Sequence, residues 1–66
     1  MKVTNVFSIT REDGTEYIKT EFDTKHTAVL NRGERLCKVL TPQGRAATDD
    51  VTYRAVKAIN AYYDQL

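Results

Sequence analysis

One cysteine, one histidine and one proline occur in 66 residues, and no apolar run is longer than three. Each scarcity excludes something. Cys37 has no mate for an internal disulfide, and a lone thiol fits a reducing, cytoplasmic setting. Cys37 and His26 make two ligands, short of the four a structural zinc site takes, so no metal and no cofactor is expected. A membrane-spanning helix needs about 20 apolar residues, and no stretch approaches that length. The start, MKVTNVFSITRED, turns polar too early for a signal peptide. Gly14, Gly33 and Gly44 stand apart from one another, so no phosphate-cradling glycine loop exists. Repeats and low-complexity segments are absent too. The chain is expected to be complete in itself, one small domain over residues 1–66.

These absences also remove the usual staples. A domain of this size buries only about 60% of the surface its unfolded chain exposes. Without disulfide or metal it must rely on an efficient core or on a second chain, which makes a homodimer an expected state.

Charge is balanced overall at +1 but not along the chain. Residues 24–47 carry Lys25, Arg32, Arg35, Lys38 and Arg45 against Glu34 alone, while the flanking segments are net acidic. The net charge argues against binding nucleic acid by bulk charge alone, and any anion-binding surface is expected in the middle third.

The segment VTNVFSITREDGTEYIKTEF predicts an antiparallel β-hairpin, strands about 2–11 and 15–22, rich in β-branched and aromatic residues. Asp13-Gly14 marks a tight two-residue turn. Closing there sets Arg11 opposite Glu16, Ile9 opposite Ile18, Phe7 opposite Thr20 and Asn5 opposite Phe22. Phe7, Ile9, Ile18 and Phe22 then form a core face. Val6, Ser8, Thr10, Tyr17, Lys19 and Glu21 form the outer face. A lone hairpin is not stable, so the rest of the chain must cover it.

TDDVTYRAVKAINAYYDQL predicts a helix over about 49–65. Thr48 or Asp49 can cap it, and the two aspartates suit the positive end of the helix dipole. Val51, Ala55, Ile59, Tyr62 and Leu66 form an apolar stripe, widened by Val56 and Tyr63.

The middle segment admits three readings. As a helix over about 24–40, it gathers His26, Val29, Leu30, Gly33, Leu36, Cys37 and Leu40 on one side. Arg32, Arg35 and Lys38 then line the other, and Pro42 stops the helix. Alternatively the helix breaks at Gly33 and a third strand runs over 35–41. Or the segment is a hairpin turning on Asn31-Arg32-Gly33-Glu34. Thr41-Pro42-Gln43-Gly44 is a turn in each. The fold class is α+β: an N-terminal hairpin covered by helical elements.

Catalytic groupings are sparse. On one helix, His26 and Cys37 would sit about 16 Å apart, too far for a dyad. Glu12-Asp13 and Asp49-Asp50 are explained by a turn and a helix start. No enzyme is expected. The expected function is a small regulatory or accessory protein of inhibitor or adaptor type, comparable in size alone to many phage and mobile-element proteins. It would bind a partner protein through Val6, Tyr17, Lys19 and the outward-pointing Tyr53. The alternative is nucleic-acid binding through Arg32, Arg35, Lys38 and Arg45, with phosphates on the basic helix face.

Overall fold

In the computed structural model residues 1–31, 33 and 37–66 are described. They form strands β1 (Val3–Thr10), β2 (Glu16–Phe22), β3 (Thr27–Asn31) and β4 (Lys38–Leu40), followed by helix α1 (Asp49–Asp64). The strands make one antiparallel sheet in the order β1-β2-β3-β4. The class is α+β, with the hairpin and the C-terminal helix where the sequence places them.

Three turns share one construction. Gly14 N–H donates to the Arg11 carbonyl (2.9 Å) and Arg11 N–H to the Thr15 carbonyl (2.8 Å). Lys25 N–H donates to Phe22 (3.0 Å) and Phe22 N–H to His26 (3.1 Å). Gly44 N–H donates to Thr41 (2.9 Å) and Thr41 N–H to Arg45 (2.7 Å). In each, the third loop residue takes positive φ: 89° at Gly14, 70° at Lys25 and 83° at Gly44. This is the three-residue loop in which a type I turn ends on a left-handed residue.

The first of these turns corrects the expected register. Asp13 does not share the positive φ a two-residue turn would require. Its carboxylate accepts instead from the Thr15 N–H (3.0 Å) and the Thr15 hydroxyl (2.7 Å), which favours the longer loop. Pairing shifts by one: Ile9 faces Tyr17, Ser8 faces Ile18, Phe7 faces Lys19, Val6 faces Thr20 and Asn5 faces Glu21. A one-residue slip sends every side chain of a strand to the other face. Ile18 and Phe22 keep the core side, whereas Phe7 and Ile9 turn outward and Val6 turns in. Arg11 no longer opposes Glu16; Thr10 does.

The middle is the second correction. Residues 24–40 do not form a helix. They contain the β2–β3 turn, β3 and β4, with β3 and β4 paired antiparallel and β4 falling within the strand expected at 35–41; of the expected turn Asn31-Arg32-Gly33-Glu34, Arg32 and Glu34 lie outside the described residues. Gly33 has φ of 89°, which a helix interior does not allow. The helical spacing is matched by a period of two. Ala28 and Leu30 on β3 share a face with Val39, Ala28 lying opposite Val39.

Among the described residues the buried apolar set is small: Phe22, Ala28, Val39 and Ala55. Ala55 has no exposed surface at all. It clusters with Phe22, Ala28 and Val39, and α1 packs chiefly against β4 and β1. Met1, Val3, Cys37, Ala47, Ala58 and Ile59 pack around this centre. Thr48 caps α1, its side chain accepting from the Val51 N–H, and Asp49 and Asp50 occupy the first turn. The expected stripe is real but ends early, since Leu66 lies exposed beyond the helix.

The register separates two phenylalanines, and thermal unfolding followed by circular dichroism should show it. Phe22→Ala is expected to cost about 3–5 kcal/mol, enough to unfold much of so small a domain. Phe7→Ala should cost about 1 kcal/mol or less. Equal losses would contradict the pairing. The turns make a second prediction. Lys25→Gly should raise stability by about 0.5–1 kcal/mol, because it relieves a left-handed penalty of about 1–2 kcal/mol at some cost in chain entropy. Gly14→Ala should lower stability by about 1–2 kcal/mol.

Candidate interaction face

Because α1 covers one side of the sheet, the other side is open, and its composition is unusual for a solvent face. In-register neighbours across the four strands form a row: Phe7, Lys19, Val29 and Lys38. A second row holds Ile9, Tyr17 and Asn31. A third holds Asn5, Glu21, Thr27 and Leu40. Phe7 is 44% exposed. Tyr17, Lys19 and Val29 are half-buried by their neighbours. The Arg11 guanidinium lies over the Tyr17 ring, 4.6 Å from its centroid. Such a contact adds about 0.5–1 kcal/mol at an exposed site and holds both groups in place.

The face therefore interleaves aromatic and aliphatic groups with cations. Lys19 and Lys38 both neighbour Val29, about 10 Å apart across two strand spacings. Arg11 adds a third positive charge at the hairpin end. Glu21 is the one acid on these three rows.

The two acids at the hairpin ends are held ionised. Hydrogen bonds from the Thr15 side chain, then from the Thr15 N–H, keep the Asp13 carboxyl below its ordinary pKa. The Lys2 N–H, 2.9 Å from Asp23 Oδ1, is the first cause of a similar lowering at Asp23.

The proposed site residues separate. Tyr17 and Lys19 lie on the open face, as expected. Val6 does not: it faces buried Thr20 on the helix side, because the register moved by one. Tyr53 is 63% exposed on α1, on the opposite side of the molecule from Tyr17, with the Lys57 ammonium 5.4 Å from its ring centroid. Lys38 is exposed on the open face. Arg45 is in the turn after β4, where its N–H donates to Thr41 Oγ1 (3.1 Å). Arg32 and Arg35 lie outside the described residues. Lys38 lies on a strand and Arg45 in a turn, so no shared helix face unites these two. Phe7, Arg11 and Val29 are the members the sequence reading missed; the correct register would have shown Phe7 and Arg11, and a strand reading of the middle would have shown Val29.

Beneath α1, a cleft of about 290 Å³ is left where the helix does not reach the Ile18–Leu30 end of the sheet. Cys37, Val56, Ile59 and Tyr63 complete its apolar lining. His26 is not near it. The ring sits by the β2–β3 turn, Nδ1 2.8 Å from Thr24 Oγ1. Along the strands it lies about 13 Å from the Cys37 level. Among the described residues no group of three His, Cys, Asp or Glu is placed to hold a metal ion, and no helix is long and apolar enough to cross a membrane.

No protein-family model matches the chain, and neither curated proteins nor solved structures provide a match.

The depressed carboxyl groups fix the sign of an acid effect. Their folded pKa values lie below the unfolded value of about 3.9. Their contribution to stability is complete above that value and is lost as pH falls through the folded pKa. Chemical denaturation between about pH 5 and pH 2 should therefore show stability falling, and a D13N/D23N variant should show a flatter decline. An unchanged slope would remove these two groups as its cause.

Proposed function

We propose that this chain is a non-catalytic binding protein, a small regulator or inhibitor that docks a partner protein on the open face of its sheet. The observation that carries this reading is the row Phe7–Lys19–Val29–Lys38 beside the Arg11–Tyr17 pair. Aromatic residues and arginine are the side chains that anchor protein interfaces. A rigid sheet presents them with little ordering cost on binding. The excess of cations over Glu21 suits an acidic partner surface, and opposite charge speeds encounter as well as favouring the right partner. The lone Cys37 thiol supports a cytoplasmic setting. A second copy of the chain is a further partner, answering the small core.

The same face supports a second reading. Phe7 and Tyr17 flank Lys19, so bases could stack on the rings while phosphates meet Lys19 and Lys38. Arg45, from a different turn, adds less than it would on a shared helix face.

A paired experiment separates the two. Affinity capture from a native lysate is run with wild type, Tyr17→Ala/Lys19→Glu and Tyr53→Ala. Fluorescence anisotropy with a single-stranded oligonucleotide at low salt is run on the same proteins. The protein reading predicts a captured protein whose affinity falls at least about tenfold in the open-face variant and is kept in Tyr53→Ala. Capture that ignores the open-face variant contradicts it. Oligonucleotide binding at micromolar protein, steeply weakened by salt and by Lys19→Glu, would favour the nucleic-acid reading.

A further inference from the structure

We propose that β1 is a dimerisation edge, on which a second copy of this chain adds its own β1 in antiparallel pairing about a two-fold axis at Phe7, making one continuous eight-stranded sheet. This assembly stands on the edge of the sheet and not on what docks to its face.

The two edges of the sheet are built differently. β4 is three residues long and its outer side is occupied. Leu40 bridges Ala46, and the Ala47 N–H donates to the Val39 carbonyl at 2.9 Å. β1 is eight residues long, VTNVFSIT, and no described strand pairs with its other side. Edges that stay unpaired are commonly blunted by lysine, proline or a short length. β1 has none of these within Val3–Thr10; its charges, Lys2 and Arg11, stand just outside. Its one irregularity lies at the start, between Val3 and Asn5. From Asn5 to Thr10 the edge is regular.

The turn bond identifies the groups it offers. Arg11 donates to Thr15, so Arg11 belongs to a hydrogen-bonded pair. Such pairs alternate along an antiparallel ladder. Ile9, Phe7 and Asn5 therefore bond to β2, while Val6, Ser8 and Thr10 direct N–H and C=O away from the sheet. These outward groups form a template on which a further strand can pair.

Geometry then selects the register. A two-fold axis normal to the sheet keeps covered face with covered face, so each residue meets one of like parity. With the axis at Phe7, Ser8 opposes Val6 of the second copy and Ile9 opposes its Asn5, all within the regular stretch. The two Phe7 rings meet on the open face as a non-hydrogen-bonded pair, where Cα atoms approach to about 4.5 Å. An axis at Val6 would oppose Phe7 with Asn5, and one at Ser8 would oppose it with Ile9; only the axis at Phe7 sets the two rings against each other as an aromatic pair. The chosen axis covers the large hydrophobic residue that β1 exposes, and it sets no like charges opposite each other. It also gives a chain with four buried apolar residues among those described the second source of burial that its size calls for.

Sedimentation equilibrium over micromolar to millimolar concentrations tests it, with two sets of variants. Ser8→Pro removes one outward N–H and no bond to β2, a position at which an edge strand accepts proline. Wild type should reach twice the monomer mass, and Ser8→Pro should remain monomeric with an unchanged circular dichroism spectrum. In a Cys37→Ser background, Phe7→Cys should form an intermolecular disulfide, its Cα separation of about 4.5 Å lying within the disulfide range. Ile9→Cys, about 14 Å from its symmetry mate along the strands, should not. A wild-type chain that stays monomeric at millimolar concentration overturns the proposal, as does equal cross-linking at positions 7 and 9.

Discussion

The hydrogen bond from the Arg11 N–H to the Thr15 carbonyl, 2.8 Å long, sets the parity of β1 against the rest of the sheet. Had the chain closed one residue earlier, Phe7 and Ile9 would face α1 and Val6 would face water. The Asp13 carboxylate, holding both the N–H and the hydroxyl of Thr15, anchors the longer loop. Gly14 completes it by taking the left-handed conformation without a Cβ penalty. Two exposed residues at a hairpin tip thus decide which side chains are core and which are surface, because a strand has only two faces.

Covering follows from that parity. A single 16-residue helix has to close a four-stranded sheet. It does so by packing on β4 and β1, with Ala55 joining Phe22, Ala28 and Val39 at the centre. One helix cannot reach the whole sheet, which leaves the cleft at Ile18 and Leu30. Nor can it cover both sides, which leaves Phe7, Tyr17 and Val29 facing out among Arg11, Lys19 and Lys38. The binding surface and the small core are two results of one shortage of covering chain.

Much of this was legible in the sequence. The hairpin announced itself by β-branched and aromatic residues around Asp13-Gly14, and α1 by Thr48, two aspartates and a helical stripe. Tyr17 and Lys19 were placed outward correctly, since β2 kept its expected faces. β1 was not, because Asp-Gly fits two loop lengths and only tertiary packing and the Thr15 hydrogen bonds choose between them. The middle misled for a different reason. Its apolar residues occupy both faces of β3 and β4, Ala28 and Val39 beneath the helix, Val29 and Leu40 on the open side. Neither strand alternates cleanly, and a helical spacing fits by coincidence. The free edge of β2 supplied the pairing that local pattern could not reveal. The basic residues followed the backbone, so Lys38 came to the open face and Arg45 to a turn.

The parity of β1 against β2 is the claim on which the open face rests, and nuclear Overhauser contacts between α-protons read it directly. In an antiparallel pair these protons are closest at the non-hydrogen-bonded positions. The structure requires strong contacts between Ser8 and Ile18 and between Val6 and Thr20. Strong contacts between Ile9 and Ile18 and between Phe7 and Thr20 would instead place Phe7 beneath the helix and remove the interaction face.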